Sequence, residues 1–185
     1  MKITVITAVL LLGIAVTTEG CIREPDERPA EEYVQQGDEV PAFDVTTQYG
    51  DTFRTPDDCI GHITTVVFFA TWCPNCQAEL PELERLYRKI EDDDRYRLIT
   101  IARGGKGDYA QTATIVGEYW DTRNYTMPYA LDPDRKIFEK FASANIPRVY
   151  MIDCEGIVFR REVAPQMTAE EYIGIMEQAY SAAKH

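Results

Sequence analysis

The chain has 185 residues, 45% of them hydrophobic, and a formal net charge of −12 at pH 7. That length holds one domain with a sizeable core plus appendages. The charge argues against a nucleic-acid partner, which needs clustered Lys and Arg, and its diffuse acidity points to no partner by itself.

Residues 1–20 read as a secretory signal peptide. Met1-Lys2 gives a positive start, and the apolar run Ile3–Val16 is shorter than the ~20 residues a spanning helix needs. Cys21 behind Gly20 resembles a bacterial lipobox, whose cysteine is lipidated and becomes the new N-terminus, although Thr18 stands where that pattern has leucine. The resemblance implies a membrane anchor at Cys21 and an extracytoplasmic (bacterial periplasmic) location. Residues 21–36 then form the lipid-anchor cysteine and a charged, flexible tether, with the domain at 37–185. Export implies an oxidising compartment. With Cys21 set aside, Cys59, Cys73, Cys76 and Cys154 remain, enough for two pairs.

From Gly37 the texture changes. "AFDVTTQYGDTFRT" alternates and turns at Gly50-Asp51, which predicts a hairpin. "ITTVVFFAT" (Ile63 to Thr71) has the make-up of a central strand buried on both faces. Leu80, Leu83, Leu86, Tyr87 and Ile90 share a helical spacing from Pro74 onward; Pro74 suits a first helical position, and Pro81 predicts a kink. "YRLITIA" is the next strand, then glycine-rich "RGGKG", a helix over about 109–122, the extended "MPYALD" and the short helix "DRKIFEKFA". "RVYMID" and "IVFRREV" flank the turn "CEG" as a second hairpin. The closing amphipathic helix begins at Thr168, with Glu171 completing a capping box. This order points to a mixed sheet with helices on both faces.

The stretch "FFATWCPNCQAELPEL" (68–83) raises the chemical question, because a C-x-x-C pair can hold a metal, form a static disulfide or exchange electrons. Cys59 and His62 form a C-x-x-H half-site that hints at zinc. The strand between the two half-sites spans ~30 Å at ~3.3 Å per residue, so they cannot meet on one ion, and no metal is expected. A redox role accounts for more residues. Cys73 at a strand-to-helix junction faces unpaired backbone N–H groups and the positive end of the helix dipole, which stabilise a thiolate. Cys76, one turn further, is placed to resolve a mixed disulfide, while Trp72 shields the pair and offers a surface to substrate.

"WCPNC" after an apolar strand, Pro81 in the helix, "YALDPDRKIFEKFASANIPRVYMID" and the final helix resemble a thioredoxin-like protein. The likeness covers about residues 37–182. More narrowly, the chain is similar to the membrane-anchored, extracytoplasmic thiol–disulfide oxidoreductases of the TlpA/ResA type. That resemblance implies a three-layer α/β/α fold with a central mixed sheet and an extra N-terminal β-hairpin. It implies Cys73 and Cys76 as the redox pair, and a cis-proline at Pro147 which, with Trp72, Pro74 and Ile146, binds substrate. It also implies Glu79, three residues after Cys76, as the carboxylate that handles the proton of Cys76; the strand aspartate of thioredoxin itself is replaced here by Val67. No cofactor is implied. The expected partners are client proteins with disulfides and an upstream dithiol electron donor, and the family and Ile146 favour reduction.

Cys59 and Cys154 depart from that family. With Pro147 beside Cys73, the strand after Pro147 runs back antiparallel to 63–71 and delivers Cys154 to the end where Cys59 lies. A structural Cys59–Cys154 disulfide is therefore expected opposite the active site. Arg103 and Arg148 fall at strand ends on the active-site side, where they could favour the Cys73 thiolate or acidic clients, or equally be solvated surface residues. Two rival functions stay in view: a peroxiredoxin-like peroxidase, whose P-x-x-x-[ST]-x-x-C setting this chain lacks, and a binding module that only borrows the fold.

Overall fold

The computed structural model of the protein describes residues 31–183, so the signal peptide and Cys21 lie outside the described residues. The expected hairpin is present as antiparallel β1 (Phe43–Thr46) and β2 (Thr52–Thr55). β3 (Ile63–Phe69), buried along its whole length, leads into α1 (Pro74–Ile90). β4 (Tyr96–Arg103), α2 (Ala113–Arg123), β5 (Tyr129–Asp132) and the one-turn α3 (Phe138–Phe141) follow. β6 (Arg148–Ile152), β7 (Val158–Val163) and α4 (Ala169–Ala182) complete the chain.

The strand order is β5-β4-β3-β6-β7. β4 and β5 run parallel to β3, whereas β6 returns antiparallel beside it, so β3 sits in the middle of a mixed sheet. Strand alternation divides the β3 side chains between two layers. Thr65 reaches Met176 of α4 and Phe69 packs 5.0 Å from Trp120 of α2, so these helices share one face. Two successive parallel crossovers in the same direction also place α1 and α2 on that face. On the other face Phe68 packs 5.4 Å from Phe138 and 4.9 Å from Phe141, with Phe43 of the hairpin 5.8 Å beyond Phe141. The far layer is thus the short α3 plus the hairpin, more lightly helical than the sequence pattern suggests.

The helix boundaries have local causes. Cys73 caps α1, with Pro74 at its first position, and the helix continues through Pro81. Thr168 and Glu171 form the expected capping box of α4. α2 starts later than expected, at the Thr112 N-cap, because residues 107–109 form a separate single turn and Gln111 is diverted to bond Thr71. Gly104 is required by close approach: a Cβ there would lie 2.2 Å from the Pro133 carbonyl oxygen. At the sheet edges, Thr47 bridges Ala130 of β5, and Gln48 donates its N–H to the Tyr129 carbonyl at 3.0 Å. Residues 37–40 bond the start of β7 in the same way, through Gly37 N–H to the Val158 carbonyl at 2.8 Å.

The last part of the expected tether is folded. Tyr33 and Val34 donate their N–H groups to the Phe141 carbonyl at 2.9 and 3.2 Å, and Val34 is buried. Glu32 bridges antiparallel to Ala142 and ion-pairs with Arg148 and, at 2.6 Å, with Arg161. The charge and prolines that suggested a tether belong mainly to residues 22–30; the hydrophobic Tyr33 and Val34 dock, and they carry Glu32 to two arginines.

Candidate active site

At the C-terminal end of β3 the chain turns through Thr71-Trp72 into α1. Thr71 is fixed from three sides. Its N–H donates to Gln111 Oε1 at 2.8 Å, its hydroxyl accepts from Gln111 Nε2 at 3.1 Å, and its carbonyl accepts from Gln77 Nε2 at 2.7 Å. The buried amide of Gln111 and that of the exposed Gln77 thus hold the backbone immediately ahead of the cysteine pair, a role that isolated glutamines in a sequence do not announce.

Cys73 has an extended backbone and its Sγ accepts the Cys76 N–H at 3.4 Å, the geometry of a helix N-cap made by sulfur. As a thiol it donates to the Ile146 carbonyl at 3.3 Å. The Ile146–Pro147 bond is cis, as expected, and the carbonyl just before it meets Cys73. Cys76 is fully buried behind Cys73. Hydrogen bonding from the Cys76 thiol lowers the Cys73 pKa to about 7 against its desolvation, with smaller help from the N–H groups of Cys76 and Asn75 and from Arg103. Burial, followed by the interaction with Cys73, raises the Cys76 thiol well above its ordinary range. One sulfur is therefore primed to ionise near neutrality and the other is held protonated, an asymmetry suited to nucleophile and resolver.

Alkylation checks this directly. The rate of iodoacetamide modification at Cys73 is expected to rise with pH and reach half its plateau near about 7, because the reactive thiolate exists only above its pKa. A midpoint near 9 would mean that the cap does not activate the sulfur.

The rim around the pair mixes aromatic and basic groups. Trp72 donates its indole N–H to the Tyr109 carbonyl at 3.3 Å and stands edge-on to the Tyr109 ring at 4.9 Å. The Arg103 guanidinium lies 5.6 Å from the Trp72 ring centre. Pro74 is exposed beside Cys73, while Ile146 and Pro147 are buried. Arg103, 3% exposed, thus takes the first of the roles left open for it, a small lowering influence on the Cys73 pKa. Arg148 does not: it is 2% exposed, its Nε donates to the Ala144 and Asn145 carbonyls at 2.8 and 2.9 Å, and Glu32 neutralises it. It braces the loop that carries Pro147.

Glu79 is 1% exposed. Its Oε1 accepts from the Tyr172 hydroxyl at 2.6 Å and from the Met167 N–H at 3.4 Å. Burial raises its pKa, against the pull of these donors. Nothing in the sequence singles out Tyr172, which reads as one more hydrophobic residue of α4.

The expected disulfide is not formed in this structure: Cys59 and Cys154 are free thiols. Both do lie at the end of β3 away from Cys73, where the Gly61 N–H bonds the Cys154 carbonyl at 2.9 Å. Cys59, however, is packed in the core, where desolvation pushes its thiol up to about 11, while Cys154 sits half-buried in the turn after β6. β3 separates Cys59 and His62 from the C-x-x-C pair, and among the described residues no group of three or more potential metal ligands converges.

Known proteins are similar to this chain in sequence and in fold. A sporulation thiol-disulfide oxidoreductase A from Bacillus subtilis is 25% identical over 164 residues, covering 88% of this chain and 90% of its own. A thiol-disulfide oxidoreductase ResA from Bacillus cereus is 26% identical over 147 residues, 80% of each chain, which agrees with the TlpA/ResA-type resemblance read from the sequence. The crystal structure of StoA from Bacillus subtilis shares the fold with a TM-score of 0.60 at 24% identity, covering 72% of this chain and 94% of that one. The AhpC/TSA family model matches residues 36–161, from the docked N-terminal segment through both cysteines and Pro147 into β7, and the chain belongs to the AhpC/TSA family.

Proposed function

We propose that the protein is a thiol–disulfide oxidoreductase that reduces disulfides of exported client proteins. The observation that carries this reading is Cys73: a sulfur at a helix N-cap, held at 3.4 Å by the Cys76 N–H and facing the carbonyl before cis-Pro147. The Cys73 thiolate attacks one sulfur of the client disulfide, releasing the other as a thiolate and leaving a mixed disulfide. Cys76 gives its proton to Glu79 and attacks Cys73, which forms the Cys73–Cys76 bond and frees the second client sulfur. The client gains two electrons, and its two thiolates take one proton back from Glu79 and one from water, the latter equal to the proton Cys73 lost on ionising; the protein is left oxidised and is reset by an upstream dithiol protein.

Trp72, Pro74, Ile146 and Pro147 form the client-facing rim in this reading. The names of the relatives support the chemistry, and the leader and Cys21 motif support export with a lipid anchor. The test is insulin reduction with dithiothreitol. The wild-type protein is expected to accelerate precipitation of the insulin B chain, and a C73S/C76S variant to match the uncatalysed control. Equal rates for the two proteins would end the proposal.

A further inference from the structure

Glu79 sits on α1, yet what holds its carboxyl comes from α4 and the loop before it. Tyr172, fully buried on α4, donates its hydroxyl to Oε1 at 2.6 Å, and the Met167 N–H donates to the same oxygen at 3.4 Å. Gln166 has a φ of +50°, a left-handed backbone that a glutamine seldom adopts, in the turn that presents this edge of the loop to the carboxyl. The other oxygen, Oε2, is buried with no hydrogen-bond partner among the described residues. A buried carboxyl with one oxygen occupied and one bare oxygen has only one atom left for a proton.

We propose that Tyr172 is the positioning residue for proton transfer at Cys76: its hydroxyl fixes Oε1, so that Oε2 is the atom that accepts the Cys76 proton. The inference rests on the oxidoreductase reading and deepens it. The step balances as Cys76–SH plus carboxylate giving Cys76–S⁻ plus carboxylic acid. The Cys76 thiolate then forms the bond to Cys73 as the Cys73–client bond breaks and the client thiolate leaves.

A hydrogen bond from a phenol stabilises the charged carboxylate, so Tyr172 works against the burial that raises the Glu79 pKa. Of the other ionisable groups, Cys76 lies one turn before Glu79 on α1 and Glu82 one turn after it, Glu171 is on α4, and Glu162 with Arg160 is on β7. Glu171 disfavours the Glu79 carboxylate, and Glu162 and Arg160 act on the Tyr172 hydroxyl with opposite signs. Glu82 is engaged by Arg85 and by the Ala169 N–H at 3.1 Å. None of these replaces the direct contact at Oε1.

The experiment combines Tyr172→Phe and Glu79→Gln with two readouts. Carbon-13 titration of the side-chain carboxyls, with Glu79 assigned from the E79Q spectrum, needs no turnover. Y172F is expected to move the Glu79 midpoint to higher pH. Resolution of a preformed mixed disulfide is expected to slow about tenfold at pH 7 in Y172F, the deficit shrinking as pH rises. In the E79Q background the same change is expected to alter the rate less than about twofold, because Tyr172 acts only through Glu79. Should Y172F fold poorly, 3,5-difluorotyrosine at position 172 keeps the ring and strengthens the donor, and it is expected to shift the midpoint the other way.

An unmoved midpoint, or an equal rate penalty in both backgrounds, would reduce Tyr172 to packing and overturn the proposal. A shifted midpoint with unchanged resolution would overturn it too. A wild-type protein inactive on insulin would instead strike the oxidoreductase reading, since the titration is read independently of turnover.

Discussion

Serine at position 76 is expected to slow multiple-turnover reduction of a client disulfide by more than about a hundredfold while leaving the first attack within about tenfold. The covalent client adduct should accumulate on non-reducing gels and vanish with dithiothreitol. The reason is the division of labour between the two sulfurs. Cys73 is the cap-activated sulfur, buried but still 6% exposed, whereas Cys76 is fully buried, its thiol held protonated by desolvation. Removing the inner sulfur deletes the one nearby nucleophile among the described residues that can clear the mixed disulfide. Serine retains a hydroxyl donor toward Cys73, so first attack survives. Alanine removes that donor, the largest influence lowering the Cys73 pKa, and should also move the alkylation midpoint upward. Undiminished turnover in C76S would show that resolution comes from elsewhere.

The second large effect lies far from the sulfurs in sequence. Glu32→Ala is expected to lower stability by roughly 2 kcal/mol, because it strands the nearly inaccessible Arg148 without its counter-charge. The usual penalty for breaking a buried pair is about 3–5 kcal/mol; Glu32 keeps 21% of its side chain exposed, so solvent screens part of the loss. For a domain of this size that corresponds to a fall in Tm of about 4–8 °C by scanning calorimetry. Glu32 also bonds the Tyr150 hydroxyl at 3.2 Å, and Arg148 holds the carbonyls of Ala144 and Asn145 just before Pro147. The same variant should therefore loosen the client side of the site. A Tm within about 1 °C of wild type would mean that the docked segment contributes nothing to the fold.

These two predictions differ in how visible their origins are before folding. "WCPNC" advertises its chemistry because a C-x-x-C pair at the start of an amphipathic helix, with no second metal half-site within reach, is suited to little besides thiol exchange. The hydrophobic run before it marks the central strand. Cis-Pro147 and Glu79 were legible only through the family resemblance, since neither an X–Pro isomer nor a carboxylate's burial follows from spacing. Glu32, Gln111 and Tyr172 were not legible at all. Each owes its place to a partner 40 to 116 positions away, and such long-range pairings leave no periodic trace. The docked segment illustrates the same limit: local charge and proline density suggested a tether, while two hydrophobic residues and a distant arginine pair decided otherwise. Antiparallel β6 did carry Cys154 to the end of β3 where Cys59 lies, but direction along a strand does not determine which way a sulfur points.

The strands that bound the sheet bear on how the protein meets other chains. An open strand edge recruits further strands, which is a route to aggregation and to unselective peptide capture. Here the β5 edge is occupied by residues 47–48, with the Tyr129 N–H also donating to Gln48 Oε1 at 2.6 Å, and the start of β7 is occupied by residues 37–40. The remaining rim of β7 carries Arg160, Arg161 and Glu162, charges that discourage annealing. Lateral annealing of an extended polypeptide is thereby discouraged at both edges, while the loop at Pro147 lies beside Cys73 through the Ile146 carbonyl.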